Sequence, residues 1–157
     1  MPGERDRLLG RGLLPAPVLA RLATAFPKRA VRKQALRKRD GDRAEEAVAD
    51  FLVVRGFRVL ATNLRLGHLE LDLVAKKGGL VVVVEVRTRG AGAFEGALAS
   101  VTGAKRRHLL LATDRLWRAR LVHDPEIERV RIDVAAVSFD ADQTRVEYIQ
   151  GAVTASP

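Results

Sequence analysis

Apolar residues recur at helical spacing from Arg43 onward: Ala44, Ala47, Val48, Phe51 and Leu52, with Val54 at the margin and Gly56 as the stop. The spacing predicts a helix here, then a short strand over Phe57–Ala61 and a turn at Asn63. From His68 to Ala75 the period changes to two. His68, Glu70 and Asp72 fall on one side, Leu69, Leu71 and Leu73 on the other. Lys76-Lys77-Gly78-Gly79 is turn chemistry, and the valine-rich stretch Leu80–Thr88 predicts a buried strand. Gly90, Gly92 and Gly96 mark a loop. A helix is expected from about Thr102 to Arg118, burying Leu109, Leu110, Ala112 and Leu116. Arg131–Phe139 and Arg145–Ile149 predict two further strands. The order is helix, three strands, helix, two strands, which places the chain in the α/β class without internal repeats.

Composition narrows the chemistry. A chain of 157 residues, 47% of them hydrophobic, fits one domain with a real core. With no cysteine, disulfides, thiolate zinc sites, iron–sulfur clusters and cysteine nucleophiles are excluded. His68, His108 and His123 show no close metal-ligand spacing, and 4% aromatics argues against rows of stacked bases. Carboxylates, lysine and arginine remain.

Charge is uneven. Residues 1–40 hold 11 basic and 3 acidic side chains, against 17 and 16 in the other 117. Lys28, Arg29, Arg32, Lys33, Arg37, Lys38 and Arg39 form a cationic arm suited to phosphate backbones or anionic membranes. A solvated tail with no partner explains the composition equally well. Leu13–Ala20 is too short to span a membrane, and Pro15 and Pro17 interrupt it. Ala23-Thr24-Ala25 looks like a cleavage site, but Glu4, Asp6 and Arg21 spoil a secretory leader, so a cytoplasmic location is expected. Pro27 is expected to separate two marginal helices. The implied division is a basic extension over 1–40, a domain over 41–153 and a tail over 154–157.

The hairpin carries the chemistry. With Gly78 and Gly79 as the central turn residues, Lys77 opposes Leu80, and counting back sets Asp72 opposite Glu85 and Glu70 opposite Arg87. These four would form one polar cluster, with Leu71, Leu73, Val84 and Val86 on the opposite face. Opposed carboxylates repel, and Glu85 interrupts a run of valines where an unpaired charge is costly. A salt bridge to Arg87 relieves this, and so does a divalent cation between Asp72 and Glu85. Oxygen-only ligands favour Mg²⁺ or Mn²⁺, and a cation with open positions can bind phosphate and activate water. Spacing alone favours the ion-pair patch.

Asp72 followed by Glu85-Val86-Arg87 resembles the PD-(D/E)xK signature of restriction-endonuclease-like proteins, with Arg87 where lysine is usual. A longer resemblance runs through Gly56–Leu60, Asn63-Leu64-Arg65, Glu70–Leu73, Val84–Arg89, Val101–Lys105 and Arg131–Val134. In that order these blocks resemble the YraN family of bacterial proteins, over roughly Asp40 to Val153. The resemblance implies an αβββαβ core with a mixed sheet and a nuclease-like acidic site. It implies metal ligation by Asp72 and Glu85, with Glu45 as a further ligand, and supporting roles for Glu70 and Lys105. Glu45 is also explained as an acid favoured near a helix N-terminus, as Glu46 would be, and Lys105 as an exposed helix residue. Arg87 stays protonated and cannot act as a base, though it can hold phosphate. His68, beside Gly67, departs from the family's Gly before Glu.

The leading expectation is a metal-dependent endonuclease-like protein hydrolysing DNA, branched or structured DNA included. Its enzymatic form would be a Mg²⁺-dependent endodeoxyribonuclease. A non-catalytic nucleic-acid-binding module on the same fold is the alternative. A membrane-surface or scaffold adaptor, acting through Leu13–Arg39, is a third.

Overall fold

The structure, a computed structural model, describes residues 31–89, 96, 99 and 101–155, with side chains from Lys38 onward. Helix α1 (Val31–Val54) leads into strands β1 (Arg58–Leu66), β2 (Leu69–Lys77) and β3 (Leu80–Arg89). Helix α2 (Gly103–Ala119) and a single 3₁₀ turn (Leu121–His123) lead to β4 (Arg129–Phe139) and β5 (Thr144–Val153).

The five strands lie in sequence order, antiparallel except for the parallel pair β3–β4, so the sheet is mixed and α2 belongs to the β3–β4 crossover. The two helices cover opposite faces. Ala44, Val48 and Leu52 of α1 pack on Leu73, Val82, Val84 and Val137, while Leu109, Ala112 and Leu116 of α2 pack on Leu71, Val81, Val83 and Val134. A strand covered on both sides reads as a continuous apolar run, which explains why Val81–Val84 are all fully buried. Among the described residues no helix is long and apolar enough to cross a membrane.

The helix ends follow local chemistry. At the end of α1, Phe57 N donates to Leu52 O and Gly56 N to Val53 O, with Gly56 at φ 86°. That is a Schellman closure, in which glycine adopts the left-handed backbone cheaply. Thr102 caps α2 by accepting from Lys105 N at 3.3 Å.

Three expectations change. Helix α1 begins at Val31, where only a marginal helix was expected after Pro27, and runs without a break into the helix expected from Arg43. Its first half has few apolar positions but is built from Arg, Lys, Gln, Ala and Leu, all good helix formers without an apolar stripe. Lys38 and Arg39 are exposed there; Lys28 and Arg29 lie outside the described residues, as do the side chains of Arg32, Lys33 and Arg37. Secondly, Asn63 sits inside β1 rather than in a turn. Thirdly, the alternation along β2 is interrupted. Leu71 joins the cluster under α2 and Leu73 the cluster under α1, so the facing changes around Asp72. With both faces covered, either outlet buries a leucine. Gly90 and Gly92 lie outside the described residues.

Candidate active site at the opening between β2 and β3

The hairpin register follows the turn. Lys77 pairs with Leu80, Lys76 with Val81, and so on to Leu73 with Val84. The regular pairing stops there, so the Asp72–Glu85 pair expected from the turn is not part of the ladder. Instead of a backbone carbonyl, the Asp72 carboxylate accepts the next bond: Val86 N donates to Asp72 Oδ2 at 2.8 Å. The side chain thus holds Asp72 against β3, immediately beside Glu85.

Glu85 is almost fully enclosed, its side chain only 3% exposed. Lys105 Nζ, from the first turn of α2, lies 3.0 Å from Oε2, and Arg87 Nε lies 3.2 Å from Oε1. Both are charge-assisted contacts at ion-pair distance, the Lys105 one the shorter. Burial pushes the Glu85 carboxyl up to about 7, and the nearby Asp72 charge adds to it; Lys105 and Arg87 pull the other way without prevailing.

Glu45 approaches from α1. It accepts a hydrogen bond from Asn63 Nδ2. Burial raises its carboxyl to about 7 as well; the Asn63 bond opposes this, while the charges of Asp72, Asp42 and Glu70 reinforce it. Glu45 from α1 and Glu85 from β3 thus both lie within reach of the Asp72 charge.

The expected pairing of Glu70 with Arg87 does not form. Glu70 faces Arg65 across the β1–β2 ladder, with Arg65 Nε 3.5 Å from Glu70 Oε2. The reason is geometric. Regular β2–β3 pairing ends at Leu73–Val84, whereas β1 stays paired with β2 as far as Leu66–Leu69. The Glu70 backbone N–H, left without a strand partner, donates instead to His108 Nε2 at 3.3 Å. His108 and Asn63 are the members of this neighbourhood that sequence reasoning missed. His108 sits three residues after Lys105 on the same helix face, which was the available signal.

The oxygen donors available to a cation are Asp72, Glu85 and Glu45. As they stand, among the described residues no three His, Asp or Glu side chains converge closely enough to hold a metal ion. The Lys105 ammonium is the cation beside Glu85.

A family model described as "Uncharacterised protein family UPF0102" matches residues 44–137, a span containing Glu45, Asn63, Asp72, Glu85, Lys105 and Asp133. The chain is 42% identical over 113 residues to the UPF0102 protein sce2912 of Sorangium cellulosum, covering 71% of this chain and 78% of that one. It is also 42% identical over 104 residues to the UPF0102 protein YraN of Salmonella newport and of Salmonella heidelberg, covering 66% of this chain and 79% of theirs.

Proposed function

The chain belongs to the uncharacterised protein family UPF0102, as the resemblance to YraN proteins implied, and we propose that it is a metal-dependent endonuclease-like protein hydrolysing phosphodiesters in DNA. One observation carries this reading: where the regular β2–β3 ladder ends, the Asp72 carboxylate bonds to β3 at Val86, beside the deeply buried Glu85. A buried carboxylate beside a second acid is costly unless cations balance it, and Lys105 and Arg87 hold that place against Glu85.

The donor chemistry fits a hard divalent cation, Mg²⁺ or Mn²⁺, with Asp72 and Glu85 as ligands and Glu45 as a third. Such an ion, when bound, supplies charge for the scissile phosphate and a water of lowered pKa. The chain's own residues do the rest. Arg87 stays protonated and stabilises negative charge on phosphorus rather than taking a proton. Lys105, now against Glu85, is free to turn to the substrate phosphate once a cation replaces it there. Glu70 is balanced by Arg65 and keeps a supporting place at the rim. Lys38 and Arg39, exposed on α1, and the arm from Lys28 take flanking phosphates.

Mg²⁺- or Mn²⁺-dependent nicking of duplex and branched DNA tests this. Nicking should vanish in Asp72→Ala and Glu85→Ala proteins that remain folded, and Arg87→Lys should keep or raise it. Equal cleavage by wild type and both alanine variants would expose a contaminant. The non-catalytic binding module is the second reading, favoured by the two cations already set against Glu85. Tight DNA binding with no cleavage under any metal would select it. In either case log K should fall by about 0.9 per log unit of salt for each phosphate neutralised, and Lys38→Glu with Arg39→Glu should flatten that slope.

A further inference from the structure

Asn63 is the one non-glycine residue with positive φ among the described residues, at 49°. Asparagine tolerates this conformation better than most residues, and in a turn it would need no further explanation. Asn63 is not in a turn. It lies in the middle of β1, between Thr62, which pairs with Leu73, and Leu64, which pairs with Leu71. That leaves it at the position facing Asp72. A strand interior held in a left-handed conformation persists only where its surroundings demand it, and such residues concentrate at working sites. Here the side chain has a definite destination: Nδ2 donates to Glu45 on α1.

We infer that Asn63 is a positioning residue, whose left-handed backbone aims its amide across the layer gap to hold the Glu45 carboxylate beside Asp72. The inference rests on the acidic opening being a cation site. Within it, Asn63 touches neither substrate nor cation; it acts through Glu45. Glu45 reaches the opening from α1 rather than from the sheet, and the Asn63 amide is what ties its carboxylate to β1. Without it, Glu45 is free to turn out to solvent, and the opening keeps ligands from the sheet alone.

Glycine at position 63 separates backbone from side chain, since it accepts φ 49° without strain and removes only the amide. Two measurements decide. In metal-free protein, NMR relaxation of the Asn63 side-chain amide should show it ordered in wild type and released in Glu45→Ala. Calorimetric titration with Mn²⁺ should then show Asn63→Gly weakening binding about tenfold, at the low end of the cost of losing an outer-shell partner. Glu45→Gln should weaken it comparably, and the double variant should bind no worse than Glu45→Gln. An amide as mobile in wild type as in Glu45→Ala would overturn the inference. So would an Asn63→Gly loss that persists undiminished in the Glu45→Gln background, because the residue would then act independently of Glu45. If wild type binds no Mn²⁺, the metal reading falls and the Asn63 inference stands or falls on the amide measurement.

Discussion

Two buried carboxylates lie on neighbouring strands and are treated in opposite ways. Asp133 on β4 pairs with Val84, the residue before Glu85, and is fully buried. It accepts four hydrogen bonds: Arg131 Nε at 2.7 Å, another Arg131 guanidinium nitrogen at 2.8 Å, Tyr148 OH at 2.7 Å and Gly151 N at 2.7 Å. The Asp133 bond raises the Arg131 guanidinium further, and burial followed by that same carboxylate keeps the Tyr148 proton in place. Glu85, as deeply enclosed, is answered by two cations from different elements, Lys105 of α2 and Arg87 of its own strand. A completed network fastens β5 onto β4. Glu85 is held by ion pairs instead. Burial alone does not separate the two carboxylates; the number and kind of their partners do.

The contrast can be broken most forcefully at Asp133. Asp133→Asn removes the charge that answers Arg131 and should cost about 3 kcal/mol in urea unfolding, as expected for one half of a buried pair. It should leave Mn²⁺ binding at the opening in place. A negligible cost would mean that the network is not structural.

Glu85→Gln should act with the opposite sign. With a folded pKa near 7 against an ordinary value near 4.5, Glu85 keeps in the fold a proton that the unfolded chain has released. The unfolded state then binds fewer protons, so unfolding free energy falls as pH rises from about 4.5 to 7 and stays low above that. Glutamine escapes this loss. The variant should be more stable than wild type at pH 8, by on the order of 1–3 kcal/mol at 1.36 kcal/mol per pKa unit, and nearly equal at pH 4. Saturating Mn²⁺ should raise the wild-type melting temperature at pH 8 and leave that of Glu85→Gln unchanged, since only a ligand-competent native state gains from binding.

Smaller effects sharpen the picture. Lys105 lowers the Glu85 carboxyl, so Lys105→Met should raise it further, costing about 1 kcal/mol at pH 8 and nothing at pH 4, where Glu85 is neutral in both proteins. Asn63→Gly should shift stability least, within about 1 kcal/mol, because relief of the left-handed backbone offsets the lost hydrogen bond. A large loss there would make Asn63 a structural residue first.

What could be read in the amino-acid order was whatever local chemistry decides. A two-glycine turn set the β2–β3 register down to Leu73–Val84, and the valine run announced a strand covered on both faces. The departure at the next rung was not legible, because it arises when the Asp72 side chain replaces a backbone carbonyl, a substitution no periodicity records. Asn63 was assigned to a turn; its left-handed backbone inside β1 and the long-range bond to Glu45 were out of view. Lys105 reached the candidate set only through family resemblance, since its partner lies 20 residues away across the crossover. A marginal helix was expected after Pro27, but its continuity with the helix from Arg43 was missed because a basic half-helix has no apolar stripe to count.

On the proposed reading, unbroken α1 makes Lys38 part of a ruler rather than of a tether. Lys38 precedes Glu45 by two helical turns, so both project from the same side, about 10 Å apart along the axis at 1.5 Å per residue. Duplex DNA advances about 3.4 Å per nucleotide along one strand, so that interval matches about three nucleotides. A phosphate gripped at Lys38 would therefore register the strand at a set offset from the acids, and the distance from grip to cut would be a property of the helix, the same for every substrate that lies along it.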